Sequence, residues 1–249
     1  MRVRRVVTTR AGGASGPPYD SFNLGTGTGD DSEHVARNRC RLAAGIGLTE
    51  DRLVWMEQVH GSAVTRVDGP RRVAVPGTDA LVTTRPGLAL VALVADCVPV
   101  LMADPRARVI AAVHAGRAGA AAGVLPAALD AMRAAGARTD RVEVLLGPAV
   151  CGTCYEVPPE LQAEVERRLP GSACLTRAGT AGLDLRAGLW RQLAEAGVAR
   201  IGVDPRCTVE DPQLYSYRRD GVTGRLAAVI WLDPTADQAA RDPAAGNPG

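Results

Sequence analysis

Leu93 to Gly119 reads LVADCVPVLMADPRARVIAAVHAGRAG, two apolar runs around one polar link. Val98 to Ala103 and Val109 to Val113 have strand character, and Asp104-Pro105-Arg106 supplies the residues of a reversing turn: Pro fixes φ and Asp bonds its own backbone. The segment therefore reads as a β-hairpin. With the turn centred on Pro105 and Arg106, Cys97 faces His114. Opposed residues on one face of an antiparallel pair have Cβ atoms about 4.5–5.5 Å apart, a span that one metal ion bridges between a thiolate and an imidazole. Two prolines set conditions on this reading. Pro99 belongs on an edge strand or at a bulge, and Pro105 cannot take the positive φ of the favoured two-residue turns. A slip of one residue would put the pair on opposite faces.

Outward from the hairpin, the sequence predicts strands at Val3 to Thr9, Leu53 to Val59, Ala63 to Val67, Ala80 to Thr84, Leu88 to Val94, Val142 to Leu146, Arg200 to Val203 and Arg225 to Leu232. Helices are expected over Asp31 to Ala44, after Gly119 with Leu125, Leu129 and Met132 on one face, over Pro158 to Arg168, and over Asp184 to Ala196. Pro126 calls for a late start or a kink in the second of these. Small residues at its opening leave backbone N–H groups for an anion such as phosphate, or form a plain strand-to-helix connection. Arg10 to Gly29 is a long loop; its Gly25-Thr26-Gly27-Thr28-Gly29 looks like a phosphate cradle. Asp30, Asp31 and Glu33 would repel phosphate, so it reads as a flexible connection with an acidic helix cap. His34 reads as a surface residue and Cys40 as a core residue. Cys151-Gly152-Thr153-Cys154 has metal-knuckle or redox spacing, but lacks a second such pair and reads as incidental. Ser216 to Asp220 is a polar cluster suited to a ligand or to surface salt bridges.

The 249 residues are 46% hydrophobic and carry a formal charge of +2. No linker divides them, so one α/β domain is expected over residues 1–232, with a disordered tail over 233–249. All basic residues are Arg, scattered among acids, and only eight aromatics are present, which gives nucleic-acid binding little support. No run approaches a membrane span. Six cysteines without an apolar signal segment point to reduced thiols and the cytoplasm.

Two of the three histidines end apolar strands beside Gly or Ala-Gly. With the hairpin cysteine they give His60, Cys97 and His114. Ligands of N, S, N type suit zinc and leave a fourth position open, as catalytic zinc requires. Gln58, two residues from His60, and Asp96, beside Cys97, are candidates to orient these ligands or a substrate. A metal-free alternative makes Cys97 a nucleophile with His60 or His114 as its base.

TTRAGG (8–13), FNLG (22–25), QVHG (58–61), ADCVPVL (95–101), VHAG (113–116), CYEV (154–157) and SYRRDG (216–221) occur in this order, and together they resemble the YfiH-type laccase-domain family. That family was once described as multicopper polyphenol oxidases and later as purine nucleoside phosphorylases. The resemblance covers residues 3 to 232. It implies a mixed, sandwich-like sheet flanked by helices, and zinc held at His60, Cys97 and His114. It also implies phosphorolysis of adenosine, inosine and methylthioadenosine, with adenosine deamination as a companion activity. Arg10 and Asn23 match motif positions and become expected substrate contacts, beside Gln58 and Arg117. The expected partners are a purine nucleoside and phosphate, and the expected state is a monomer or weak homo-oligomer. Where the family reads HAGWRG this chain has HAGRAG, so Arg117 would have to supply the charge otherwise carried by residue 118. Blue-copper and trinuclear copper chemistry fails on counting, because it needs more imidazoles than three. Two competing functions are an amidohydrolase of cell-wall precursor peptides and a catalytically impaired binding protein.

Overall fold

The computed structural model describes residues 2–234. Its strands are β1 (Arg2–Val7), β2 (Leu53–Val54), β3 (Val64–Arg66), β4 (Ala80–Thr83), β5 (Ala89–Val94), β6 (Val98–Asp104), β7 (Val109–Ala115), β8 (Glu143–Leu146), β9 (Ala173–Leu175), β10 (Ala181–Leu183), β11 (Arg200–Val203) and β12 (Leu226–Asp233). The α-helices are α1 (Ser32–Gly45), α2 (Arg117–Ala121), α3 (Val124–Ala134), α4 (Pro159–Arg168), α5 (Leu185–Glu195) and α6 (Tyr217–Asp220). A six-stranded sheet has the order β11-β8-β6-β7-β4-β3, a four-stranded sheet the order β1-β12-β5-β2, and β9 and β10 form a separate hairpin.

Side-chain alternation along β6 and β7 explains the layering. Val98, Val100, Met102, Ala111 and Val113 pack with Leu125, Leu129 and Met132 of α3 and Leu185, Leu189 and Leu193 of α5. The intervening Leu101, Ala103, Ile110 and Ala112 meet Leu90, Ala92, Ala228 and Ile230 of the smaller sheet. That sheet turns Ala89, Val91, Ala227 and Val229 towards Leu42 of α1, Phe22 and Trp55. Helices, large sheet, small sheet and α1 thus form successive layers, which is the expected mixed sandwich flanked by helices. The central strands β4, β6, β7 and β12 are buried on both faces, so they read as continuous apolar runs, whereas the edge strands β1, β3 and β11 are partly exposed. No helix among the described residues is long and apolar enough to cross a membrane.

The hairpin forms with a different register. Pro99 pairs with His114 and Val98 with Ala115, so Cys97 lies two residues diagonal to His114 rather than opposite it. The cause is the turn, which has four residues. Asp104 still pairs with Val109, its Oδ1 accepts from the amides of Arg106 and Ala107, and Arg108 takes the positive φ that Pro105 cannot. A slip of two preserves the face. Pro99 sits in an interior strand, against expectation, yet forfeits no ladder bond. Its carbonyl accepts from Gly147 on the side where β8 has already ended.

Other expectations are corrected too. The strand over Leu53 to Val59 stops at Val54, because Gln58 turns aside to bond β5 and His60 adopts φ 59°. Cys40 is exposed on α1 beside Glu50 rather than in the core. The helix after Gly119 is two helices: α2 ends before Gly123, which adopts φ 83°, and Pro126 falls in the first turn of α3, where it costs no hydrogen bond. The expected tail begins too early, since Asp233 ends β12 and accepts from Arg4; residues 235–249 lie outside the described residues.

Candidate active site

β6 and β7 deliver Cys97 and His114 to one end of the sandwich, and the loop after β2 brings His60 over them. One nitrogen or sulfur from each of the three lies within 4.8 Å of the others. His60 Nε2 is 3.9 Å from Cys97 Sγ, and the two imidazole rings meet edge to face at 4.8 Å. His60 is exposed, Cys97 half-buried and His114 buried.

Asp79 arranges all of this. It is fully buried just before β4, and its carboxylate accepts from the amides of Val59 (3.2 Å), His60 (3.0 Å) and Gly61 (2.7 Å). The same carboxylate bonds His114 Nδ1 at 2.8 Å, leaving Nε2 of that ring to face the cysteine. Gly116 completes the cradle: a Cβ there would lie 2.7 Å from His60 Cδ2 and 3.1 Å from Cys97 Sγ. Burial alone would push the Cys97 thiol up, but the His114 and His60 rings more than reverse this and bring it down to about 6. Burial likewise opposes charge on His114, and Asp79 with Cys97 overcomes it, raising the imidazole to about 9. Without a metal the pair is thus a thiolate beside an imidazolium; with that proton displaced, one sulfur and two imidazole nitrogens form a set that fits a divalent metal of zinc type.

The donors open into a cleft of about 880 Å³. Gly25 to Thr28 form one wall, Leu93 to Cys97 another, and Tyr155, Arg117, Tyr217, Arg218 and Arg225 complete it. The glycine-rich loop is thus a cleft wall rather than a loose connection, although Asp31 does cap α1 by accepting from Glu33 N–H. Arg117 lines the cleft half-buried while Ala118 is exposed and outside it, so residue 117 carries the charge at HAGRAG. Arg218 lies 5.0 Å from the Tyr155 ring. Of the polar cluster at 216–220, Tyr217 and Arg218 face the cleft, while Arg219 bonds Asp220 and the carbonyls of Thr208 and Leu214.

Three expected substrate contacts hold the walls instead. Arg10 bonds the carbonyl and carboxylate of Asp20 and stacks on Tyr215, away from the cleft. Asn23 is fully buried and bonds Thr28, Asp30, and the amides of Gly25 and Arg225. Gln58 lines the cleft, but its amide is paired at both ends with the Leu93 backbone at 2.8 Å. Asp96 does not touch the donors; its carboxylate accepts from Thr208 Oγ1 and the Arg218 amide, both at 2.6 Å. Arg218 was expected only as part of the polar cluster at 216–220, and sequence reasoning missed Asp79, Tyr155 and Arg225. Tyr155 and Arg218 lie within matched motifs, whereas Asp79 and Arg225 have no local signature.

Residues 4–233 match the family model described as multi-copper polyphenol oxidoreductase laccase. A purine nucleoside phosphorylase of Mycobacterium tuberculosis is 58% identical over 233 residues, 94% of this chain and 93% of that protein. Among solved structures, YlmD from Geobacillus stearothermophilus has a TM-score of 0.88 at 34% identity, covering 93% of this chain and 92% of its own. The hypothetical protein YfiH from Bacillus licheniformis has a TM-score of 0.86 at 30% identity, covering 93% of each chain.

Proposed function

Because the chain belongs to the multi-copper polyphenol oxidoreductase laccase family, we propose that it is a zinc-dependent purine nucleoside phosphorylase of the cytoplasm, acting on adenosine, inosine and methylthioadenosine. The observation that carries this reading is the meeting, in one cleft, of a three-donor metal cradle with Arg117, Arg218 and Arg225. None of those three side chains forms an ion pair among the described residues. The curated relative cited above bears the same activity in its name.

His60, Cys97 and His114 would hold the metal, which when bound supplies Lewis-acid charge beside the cleft. The guanidinium groups bind phosphate, whose charge and bidentate oxygens they match. Tyr155 and Tyr217 offer ring faces to a purine, with Met56 and Val150 as apolar neighbours. In the reaction a phosphate oxygen bonds ribose C1′, the C1′–N9 bond breaks, and its electron pair leaves with the base. Positioning two substrates in one walled cleft lowers the entropic barrier to that encounter.

Adenosine deamination is the companion activity in this reading. A second reading rests on the Cys97–His114 pair, a thiolate beside an imidazolium, which suits metal-free attack on amide bonds of cell-wall precursor peptides. The test is purified protein given inosine plus phosphate, adenosine alone, or a muramyl peptide, with and without a zinc chelator. Phosphate-dependent release of hypoxanthine that the chelator abolishes supports the proposal. Peptide cleavage that survives the chelator selects the hydrolase, and metal binding with no turnover on any substrate leaves a binding protein.

A further inference from the structure

The cysteines at 151 and 154 have partners far along the chain. Cys207 and Glu210 repeat their spacing after an interval of 56 residues, and one donor atom from each of the four lies within 4.8 Å of the others. Two turns present them. In the first, the amides of Cys154 and Tyr155 both donate to the Cys151 carbonyl at 3.0 Å; in the second, the amides of Glu210 and Asp211 donate to the Cys207 carbonyl at 3.2 and 2.8 Å. Ala149 and Cys207 form a parallel bridge that sets the turns side by side. The Cys151 amide points at Cys207 Sγ at 3.3 Å, and the Cys154 thiol meets Glu210 Oε1 at 3.5 Å.

From this geometry we infer a second metal site, separate from the cleft, in which Cys151, Cys154, Cys207 and Glu210 enclose one structural zinc ion. Tetrahedral zinc with Zn–S bonds of about 2.3 Å sets its ligands about 3.8 Å apart, so the group contracts by no more than about 1 Å. The Cys151 amide also fixes the Cys207 sulfur towards the centre of the group. Four protein donors close the coordination sphere, which marks the site as structural rather than catalytic. Arg177, paired with Glu210, offsets part of the anionic charge.

The position gives the ion a task. The first turn lies between Val150 and Tyr155, both in the cleft wall. The second contains Thr208, whose hydroxyl donates to Asp96, the neighbour of Cys97. A zinc clamp here would fix the cleft wall and the Cys97 segment to each other.

The test is elemental analysis of the full-length protein, purified with reductant after expression with added zinc. Two zinc ions per chain are expected in the wild type, one in Cys207→Ser, one in Cys97→Ala and none in the double variant. Zinc content unchanged by Cys207→Ser overturns the second site, whereas content unchanged by Cys97→Ala counts against the first alone. Should Cys207→Ser fail to fold, Co²⁺ titration of Cys97→Ala decides. One equivalent with thiolate-to-cobalt absorption supports the site, and its absence overturns it. An intact mass two hydrogens lighter in the metal-free protein, diagnostic of a disulfide among these cysteines that persists in reductant, also overturns it.

Discussion

Asp79 is the residue on which the donors depend. Its carboxylate meets three amides and an imidazole, so it fixes both the loop carrying His60 and the ring orientation of His114. Asp79→Asn should weaken metal binding by about 10- to 100-fold, the usual loss when a residue supporting metal ligands is removed; competition with a chromophoric chelator measures it. At Gly116 any side chain enters the cradle. Gly116→Ala should displace the His60 ring and lower metal affinity by about tenfold or more, while circular dichroism shows the fold unchanged. Glycine here serves close approach, since its φ of −74° is open to any residue. The convergence of His60, Cys97 and His114 was legible because each sits in a short motif, QVHG, ADCVPVL or VHAG, beside an apolar run. Asp79 was not, because one acid before a strand looks like any turn residue until the chain closes around it. Arg10 and Asn23 show what a motif position reports, which is constraint: in the structure both bond neighbouring chain segments.

The element scale shows why the hairpin was found and its register missed. Apolar runs locate strands, but the pairing depends on loop length, and the Asp104 carboxylate permits four residues where two had been assumed. The even slip kept Cys97 and His114 on one face, so the site survived the error. The β9–β10 hairpin escaped notice because three-residue strands give no period to read. Beside it, Glu166 of α4 accepts from the Gly171 and Ala173 amides at 2.8 and 2.7 Å. Desolvation would raise its pKa, and those amides outweigh it and hold the carboxyl below its ordinary 4.5. The unfolded chain therefore takes up this proton more readily. The clasp stabilises the fold fully above about 4.5 and its contribution disappears as the pH falls through the lowered value. Unfolding of Glu166→Gln against the wild type should show a stability gap at pH 7 that closes in acid.

For the whole molecule, periodicity located most of the strands and helices and the family resemblance implied the helix-flanked sandwich, while the cleft was not legible. Its walls come from Gly25, Gln58, Leu93, Arg117, Tyr155 and Arg225, brought together only by the stacking of two sheets. Arg117→Ala should raise the KM for phosphate by about tenfold, a loss of about 1.4 kcal/mol, with nucleoside KM and zinc content unchanged. Initial rates at varied phosphate check it. A uniform fall in kcat with no change in phosphate KM would place Arg117 elsewhere in the reaction.

The antiparallel pairing of β1 with β12 sets Arg2 opposite Asp233, while the other end of β12, Leu226 against Val94, adjoins the cleft. Tension applied through these two residues would load the ladder bonds one by one and peel β1 away from the end remote from the donors. Single-molecule stretching should thus record an early, low-force unzipping step. An enzyme tethered to a surface at either end should go on turning over substrate.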